Sequence, residues 1–479
     1  MTAYFLWILL LVILQKRIIM EIIKEVDCVK RFGRSMLEGP LLPSIISYTV
    51  PIILTSILQL LFNAADLVIV GRFRGSLSVA AVSATGALIN LIVNLFIGLS
   101  VGAGVAVAHG LGSREDQVVH KTVHTALPTA IVGGLFVTVI GLCFSKTFLE
   151  YMGTPKEVLP LSTLYMQIYF GGIVFTMVYN FCASILRAAG DTKSPLIFLA
   201  IAGVLNVGLN VLFVTVFGMN VEGVALATVI SQALSAVLVV IALMKRTDAC
   251  KLYLSKIRFY KPQFLKIVRI GLPAGIQGSL FSISNVLIQS SINSFGPVLM
   301  SGSGAASSIE GFIYVTFNAF HQTAVNFIGQ NAGAGQYRRV KKILFTCLGS
   351  AVVSSVAVSV LAYGFGPQLL SIYITDSQDA IGYGMTRLAY IALPYFLCAL
   401  MDVTTGALRG MGTSITPMLI SVMGICGIRI LWIYTIFQVP AFHTPECLYL
   451  SYSISWIITF LCQLSAFFII YKKRIRAHT

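Results

Sequence analysis

Charge is what this chain has least of. Asp, Glu, Lys and Arg make up only 10% of its 479 residues, against roughly 25% in a soluble domain. That scarcity excludes a water-soluble globular protein. Acids are scarcer than bases, 17 against 33, for a net charge of +16. A basic excess can mark a nucleic-acid binder, but here the bases fall in short gaps between apolar runs. There they read as topology signals, and no nucleic-acid partner is expected. No G-x-x-x-x-G-K-[ST] stretch is present, so no ATP cradle is read. The nine cysteines and six histidines lack ligand spacing. Cys143, Cys182, Cys347, Cys398, Cys426 and Cys462 lie within or at the ends of apolar runs, where a thiol acts as a small hydrophobe. Neither a zinc site nor a disulfide framework follows. Nothing requires covalent chemistry, so no enzyme activity and no cofactor are expected.

What is present is apolar sequence: 57% of residues, with a mean hydropathy of +0.89. It comes in continuous runs of about 20 residues, which are helical spans rather than the alternating segments of a β-barrel. The spans predicted are about 44–70, 78–108, 120–145, 159–185, 195–217, 222–244, 268–294, 299–329, 340–364, 382–408, 415–438 and 448–471. The expected fold is an all-α polytopic membrane protein, monomeric, in the bilayer of the plasma (cytoplasmic) membrane. With the N-terminus inside, outside gaps hold only Arg72, Arg74, Lys146, Lys156 and Arg387, and Arg429 stays within a span. All other bases fall inside, which puts both termini in the cytoplasm. The opening residues MTAYFLWILLLVIL are short for a span and lack the preceding base of a signal peptide. Two readings stand: an interfacial helix, or an extended start upstream of Met20, making 1–19 foreign to the protein.

The chain repeats itself at about 222 residues. LRAAGDTKSPLI (186–197) matches LRGMGTSITPML (408–419), HGLGSREDQVVHK (109–121) matches GQNAGAGQYRRVKK (329–342), and TVPIILTSILQLLFN (49–63) matches GLPAGIQGSLFSISN (271–285). The expected organisation is a tail (1–40), a six-helix lobe (41–246), a basic linker (247–266), a second six-helix lobe (267–472) and a basic tail (473–479). An even span count makes the repeats parallel, related by a pseudo-twofold along the membrane normal. Such repeats mark transporters, with the substrate site at their interface.

Three acids fall inside the spans: Asp66, Glu310 and Asp402. A charge at hydrocarbon depth costs a few kcal/mol or more and marks a functional site. Asp66 shares a helical face with Asn63 at i, i+3. Its expected partners are amides of neighbouring spans: Asn206 and Asn210, spaced i, i+4, and Asn180 on the fourth span. Asn180 and Asp402 are equivalent in the repeat, whereas Asp66 faces Ile288. Of the two positions, each half therefore keeps one acid of the pair, Asp66 in the first and Asp402 in the second, on a different helix. Glu310 shares a face with Tyr314, Asn318 and His321 and is expected to line a cavity. Two roles stand for Asp402: cation binding with Thr405, Asn285 and Gln289, or pairing with Arg429, read as the only base within a span. Pro51, Pro273 and Pro394 permit bends, and a bend in the first span would move Asp66 relative to Asn206.

Asn63-x-x-Asp66-x-x-x-Val70-Gly71-Arg72, the paired Leu-Arg-x-x-Gly segments at 186–190 and 408–412, and Ile328-Gly329-Gln330-Asn331-x-Gly333-x-Gly335 resemble the multidrug and toxic compound extrusion (MATE) family. The likeness covers about residues 36–476. It implies twelve helices in a V-shaped pair of lobes, and efflux of cationic or amphipathic organic compounds driven by Na⁺ or H⁺. Asp66, Asn206 and Asp402 resemble acids and an amide that serve coupling in relatives. Asn210 and Asn285 depart from the family, which often places acids there. The expected function is an antiporter working by alternating access, with no metal beyond Na⁺ at Asp66. The rival is a lipid-linked oligosaccharide flippase, whose anionic substrate calls for basic residues in the cavity; one base against three acids within the spans argues against it.

Overall fold

A computed structural model describes residues 36–374 and 377–476. Residues 1–35 and 477–479 lie outside it, so the two readings of 1–19, most of the predicted N-terminal tail and the last residues of the basic tail fall outside the described residues.

The described chain is helical, and its long helices group into rods across short breaks. In the first half these are α1 (Leu41–Arg74), α2 (Ser76–Gly112), α3 (Asp116–Tyr151), α4 (Leu159–Gly171 and Ile173–Ala188), α5 (Lys193–Val211, continuing as a π-helix over Leu212–Val216) and α6 (Val221–Lys245). In the second half they are α7 (Lys261–Asn293), α8 (Pro297–Gly333), α9 (Tyr337–Gly364), α10 (Gln378–Arg387 through Tyr395–Gly410), α11 (Ile415–Ser421 through Ile428–Tyr434) and α12 (Pro445–Arg476). A helix satisfies its own backbone, which hydrocarbon cannot do for it. Eight of the rods are individually long and apolar enough to cross a membrane, and α4 and α10 qualify as pairs bent by 47° and 42°. α7 and α8 are as long but carry Ser, Gln and Asn along their length. This is a multi-pass α-helical membrane protein.

The internal duplication is visible in the backbone. Left-handed residues recur at the repeat distance: Gly75 with Gly296, Arg114 with Gly335, and Gly190 with Gly412. Each ends one helix and re-aims the chain into the next. Glycine meets that demand without a Cβ clash. Arg114, at φ 58°, is the exception. The two bends also correspond: α4 breaks at Gly172 and α10 around Pro394, where the missing N–H opens the helical ladder.

The chain divides into two compact units, one up to Leu272 and one from Pro273 onward, with Gly112–Arg114 grouped with the second. In the first unit α4 packs on α3 and α6, and α5 lies between α1 and α6. In the second, α8 packs on α9 and α10, and α12 on α10. The segment predicted as a linker lies along α3. Tyr253 N donates to His124 Nε2 at 3.0 Å and Tyr260 N to Thr125 Oγ1 at 3.2 Å. Position 267, the predicted start of the second lobe, falls inside α7, which begins at Lys261.

Candidate functional site

The first cluster is built where α1 meets α5 and α6. Leu58, Phe62, Asp66, Ile69 and Val70 form the buried stripe of α1. It lies on the α5 stripe of Gly203, Asn206, Val207 and Asn210. The helices touch closely at one point: a Cβ on Gly203 would stand 1.7 Å from the Phe62 ring. That contact lies one turn from Asp66 on α1 and one turn from Asn206 on α5. It brings a carboxylate against two amides.

Asn210 Nδ2 donates to Asp66 Oδ1 and, at 3.2 Å, to Asn206 Oδ1. Asn206 Nδ2 donates to Thr228 Oγ1 at 3.4 Å. Thr228 Oγ1, with one proton to donate, lies 3.0 Å from Val224 O and 3.4 Å from Asp66 Oδ2. With both acceptors served by Nδ2, the Asn210 amide turns its Oδ1 away from them. That oxygen is buried and has no hydrogen-bond partner. Asp66 is 8% exposed, and among the described residues no base pairs with it. The cluster thus holds a buried carboxyl group that no base among the described residues neutralises, next to an oxygen that lacks a donor. A small cation or a proton would complete it.

The second cluster lies on α8 and α10. Asp402 Oδ2 accepts from Asn318 Nδ2 at 3.2 Å. His321 Nδ1 stands 2.7 Å from the Asp402 backbone oxygen and 3.2 Å from its Oδ1. Arg409 Nη1 faces His321 Nε2 at 3.4 Å, and Nη2 donates to Gln277 Oε1 at 2.8 Å. Arginine has no acceptor, so Nε2 must accept and Nδ1 must carry the proton toward Asp402. Gly406 permits the approach: a Cβ there would meet the His321 backbone oxygen at 2.6 Å. About two turns earlier on α8, Arg387 donates Nε and Nη2 to the two oxygens of Glu310, each at 2.8 Å, and Nη1 to Ser303 at 2.8 Å.

Several expectations need correction. Asn63 is exposed and makes no hydrogen bond to Asp66; the buried stripe of α1 runs at i, i+4 through Phe62, which leaves Asn63 off its edge. Asn180 does not join the Asp66 cluster, because its Nδ2 bonds the Thr176 carbonyl of its own helix at 2.9 Å. Asn285 and Gln289 are exposed, and Gln289 bonds Asn293, not Asp402. Thr405 bonds back to Met401 O. Glu310, expected to line a cavity with Tyr314, Asn318 and His321, is buried and paired with Arg387. Arg387, expected in an outside gap, is buried within α10 against Glu310 and Ser303. Asp402 does not pair with Arg429, which stacks on Tyr452 and Trp456. Nor is Arg429 the only base inside: Arg387 and Arg409 are also buried. The electrostatic argument against an anionic cargo therefore loses its premise. Sequence reasoning missed Thr228, Ser303, Gln277 and Arg387 as site residues. A Thr back-bonding within an apolar helix and an Arg near a span end carry no distinct local signal.

The chain matches known proteins along most of its length. The MatE family profile matches residues 51–212 and 273–435, one match in each repeat. The "Probable multidrug resistance protein YpnP" of Bacillus subtilis (strain 168) is 28% identical over 400 residues, covering 82% of this chain and 87% of that protein. The "Multidrug export protein MepA" of Staphylococcus aureus (strain bovine RF122 / ET3-1) is 21% identical over 443 residues, covering 92% and 95%. In three dimensions, a MOP superfamily transporter from Pyrococcus furiosus superposes with a TM-score of 0.84 at 20% identity, covering 92% of this chain and 97% of that one. On the match in both halves, the chain belongs to the MatE family of transporters.

Proposed function

We propose that the chain is a secondary antiporter of the plasma membrane that exports cationic or amphipathic organic compounds in exchange for Na⁺ or H⁺. The observation that carries the coupling is the uncompensated Asp66 carboxylate beside the unpartnered Asn210 Oδ1. Drug export is supported by the names of the relatives, a probable multidrug resistance protein and a multidrug export protein. Those names do not favour the flippase alternative.

A buried carboxylate at low dielectric must be neutral or paired. The proposed holders of the ion are Asp66, Asn206 Oδ1 and Thr228 Oγ1, with Asn210 Oδ1 joining them when its amide rotates away from the Asp66 carboxyl. All are hard oxygen ligands, suited to Na⁺; a proton on Asp66 serves equally. Losing the ion uncovers a charge that only water can then solvate, so ion exchange and a change of shape in α1 belong to one event. Pro51, about 22 Å along the helix from Asp66 at 1.5 Å per residue, supplies the missing N–H at which α1 can change shape.

The test is ethidium efflux from proteoliposomes with Na⁺ and pH gradients imposed separately. One of the two gradients should drive wild-type efflux, and Asp66→Asn should lose that gradient-driven component. If Asp66→Asn pumps as fast as wild type, the assignment is wrong.

A further inference from the structure

Among the described residues the second unit holds three buried guanidinium groups, and two have both terminal nitrogens partnered. Arg387 is held by both Glu310 oxygens. Arg409 Nη1 and Nη2 are held by His321 and Gln277, and its Nε has no partner among the described residues. Arg429 differs. It is only 4% exposed, and its Nε donates to Ser455 Oγ at 3.1 Å. No other acceptor among the described residues takes a proton from it, and no carboxylate pairs with it. Its plane lies over the Tyr452 ring, with Cζ 3.9 Å from the centroid, and Trp456 stands at 5.7 Å. Tyr395 continues the ring contacts, its centroid 5.3 Å from that of Trp456.

Rings offset part of the cost of burying a cation, but they leave the terminal N–H fork without acceptors. A guanidinium fork matches a carboxylate in two parallel hydrogen bonds. The fold does not demand a charge there. At the equivalent position of the first unit, about 222 residues earlier, stands Val207, which is also buried. We infer that Arg429, with Tyr452, Trp456 and Ser455, forms an anion subsite that takes a carboxylate or another monovalent anion, preferentially one attached to an aromatic ring. Two sources share that chemistry: the carboxylate of an organic cargo, and an inorganic anion such as chloride. The inference goes beyond the ion coupling proposed for Asp66 and leans on the export reading only for the cargo.

The experiment is equilibrium binding to purified full-length protein in nanodiscs, with no gradient present, so that failed coupling and a failed anion subsite are separate results. The probes are rhodamine 110, which carries a free carboxylate, and rhodamine 123, its methyl ester, read by fluorescence anisotropy in low-salt buffer. Arg429→Gln should lower the ratio of rhodamine 110 to rhodamine 123 affinity by about tenfold, the loss of one charge-assisted pair. Arg429→Lys retains the charge without the fork and should lower it by about threefold; it also provides the reading if the Gln variant does not fold. A ratio that stays constant, combined with a chloride-dependent rise in wild-type unfolding temperature that Arg429→Gln lacks, would assign the subsite to an inorganic anion. A constant ratio with no difference in chloride response would overturn the inference.

Discussion

A buried carboxylate that already has a base responds to a passing cation differently from one that has none. Glu310 belongs to the first kind and Asp66 to the second. Removing one member of a buried pair strands the other, at a cost of about 3–5 kcal/mol. Glu310→Gln should therefore lower the unfolding temperature sharply in a thermal-unfolding assay. Replacing both members, as Glu310→Leu with Arg387→Met, should recover most of the loss. If the single change is silent, the pair is not formed in the membrane. At Asp66 the expected effect is on ion affinity rather than stability. Thr228→Val removes a hydroxyl from the cluster and should weaken the ion's effect on transport by about tenfold, the usual worth of a hydrogen bond to a charged group; a half-saturating ion concentration equal to wild type would contradict this. Asp66, Asn206 and Asn210 were legible in the sequence, because an acid within an apolar run is costly and i, i+4 amides share a face. Thr228 was not, since its bond to Val224 O is what any Thr in an apolar helix makes. The Glu310–Arg387 pair was not legible either, because 77 positions separate its members and only tertiary packing brings them together.

At the scale of the helices, the site depends on how closely α1 and α5 approach. Gly203 sets that distance, since any side chain there meets the Phe62 ring. Gly203→Leu should destabilise the protein by about 1–3 kcal/mol through overpacking and should pull Asp66 away from Asn206 and Asn210. Pairing Gly203→Ala with Phe62→Leu should restore both stability and ion dependence, measured as unfolding temperature and gradient-driven efflux. A Gly203→Leu protein with wild-type behaviour would show that the contact does not position the site. The long helices were legible because apolar runs of this length allow one backbone solution in lipid. Their ends were less so: α10 extends past both ends of the predicted 382–408 span, to Gln378 and Gly410, and the extension at its C-terminal end takes in the buried Arg409. The bend at Pro394 was readable from the missing amide. The matching bend at Gly172 was not, because glycine permits a break without imposing one.

At the scale of the whole molecule, duplication explains the backbone and divergence explains the chemistry. Both halves bend their fourth span and turn at matching left-handed residues. Arg114 stands where the second half has Gly335, and a left-handed L-residue costs roughly 1–2 kcal/mol. Gly335→Ala should therefore destabilise by about 1 kcal/mol, while Arg114→Gly should be neutral or stabilising; unfolding temperatures that move in the opposite directions would contradict the assignment. The repeated motifs made the duplication plain in the sequence. Which acids were compensated was not plain, since compensation comes from residues that only tertiary packing brings together. The outcome is a division of labour. The second unit neutralises Glu310 with Arg387 and sets His321 beside Asp402, whereas the first holds Asp66 with no base beside it among the described residues, the ion site proposed above. That division is tested most directly by ethidium affinity, measured at equilibrium in nanodiscs while Na⁺ and H⁺ are varied separately at constant ionic strength. Exchange through Asp66 requires reciprocal linkage: ethidium should bind more weakly as one of the two ions rises, approaching tenfold weaker per tenfold ion, and Asp66→Asn should abolish that slope. A wild-type affinity indifferent to both ions, or an Asp66→Asn slope equal to wild type, would contradict the account.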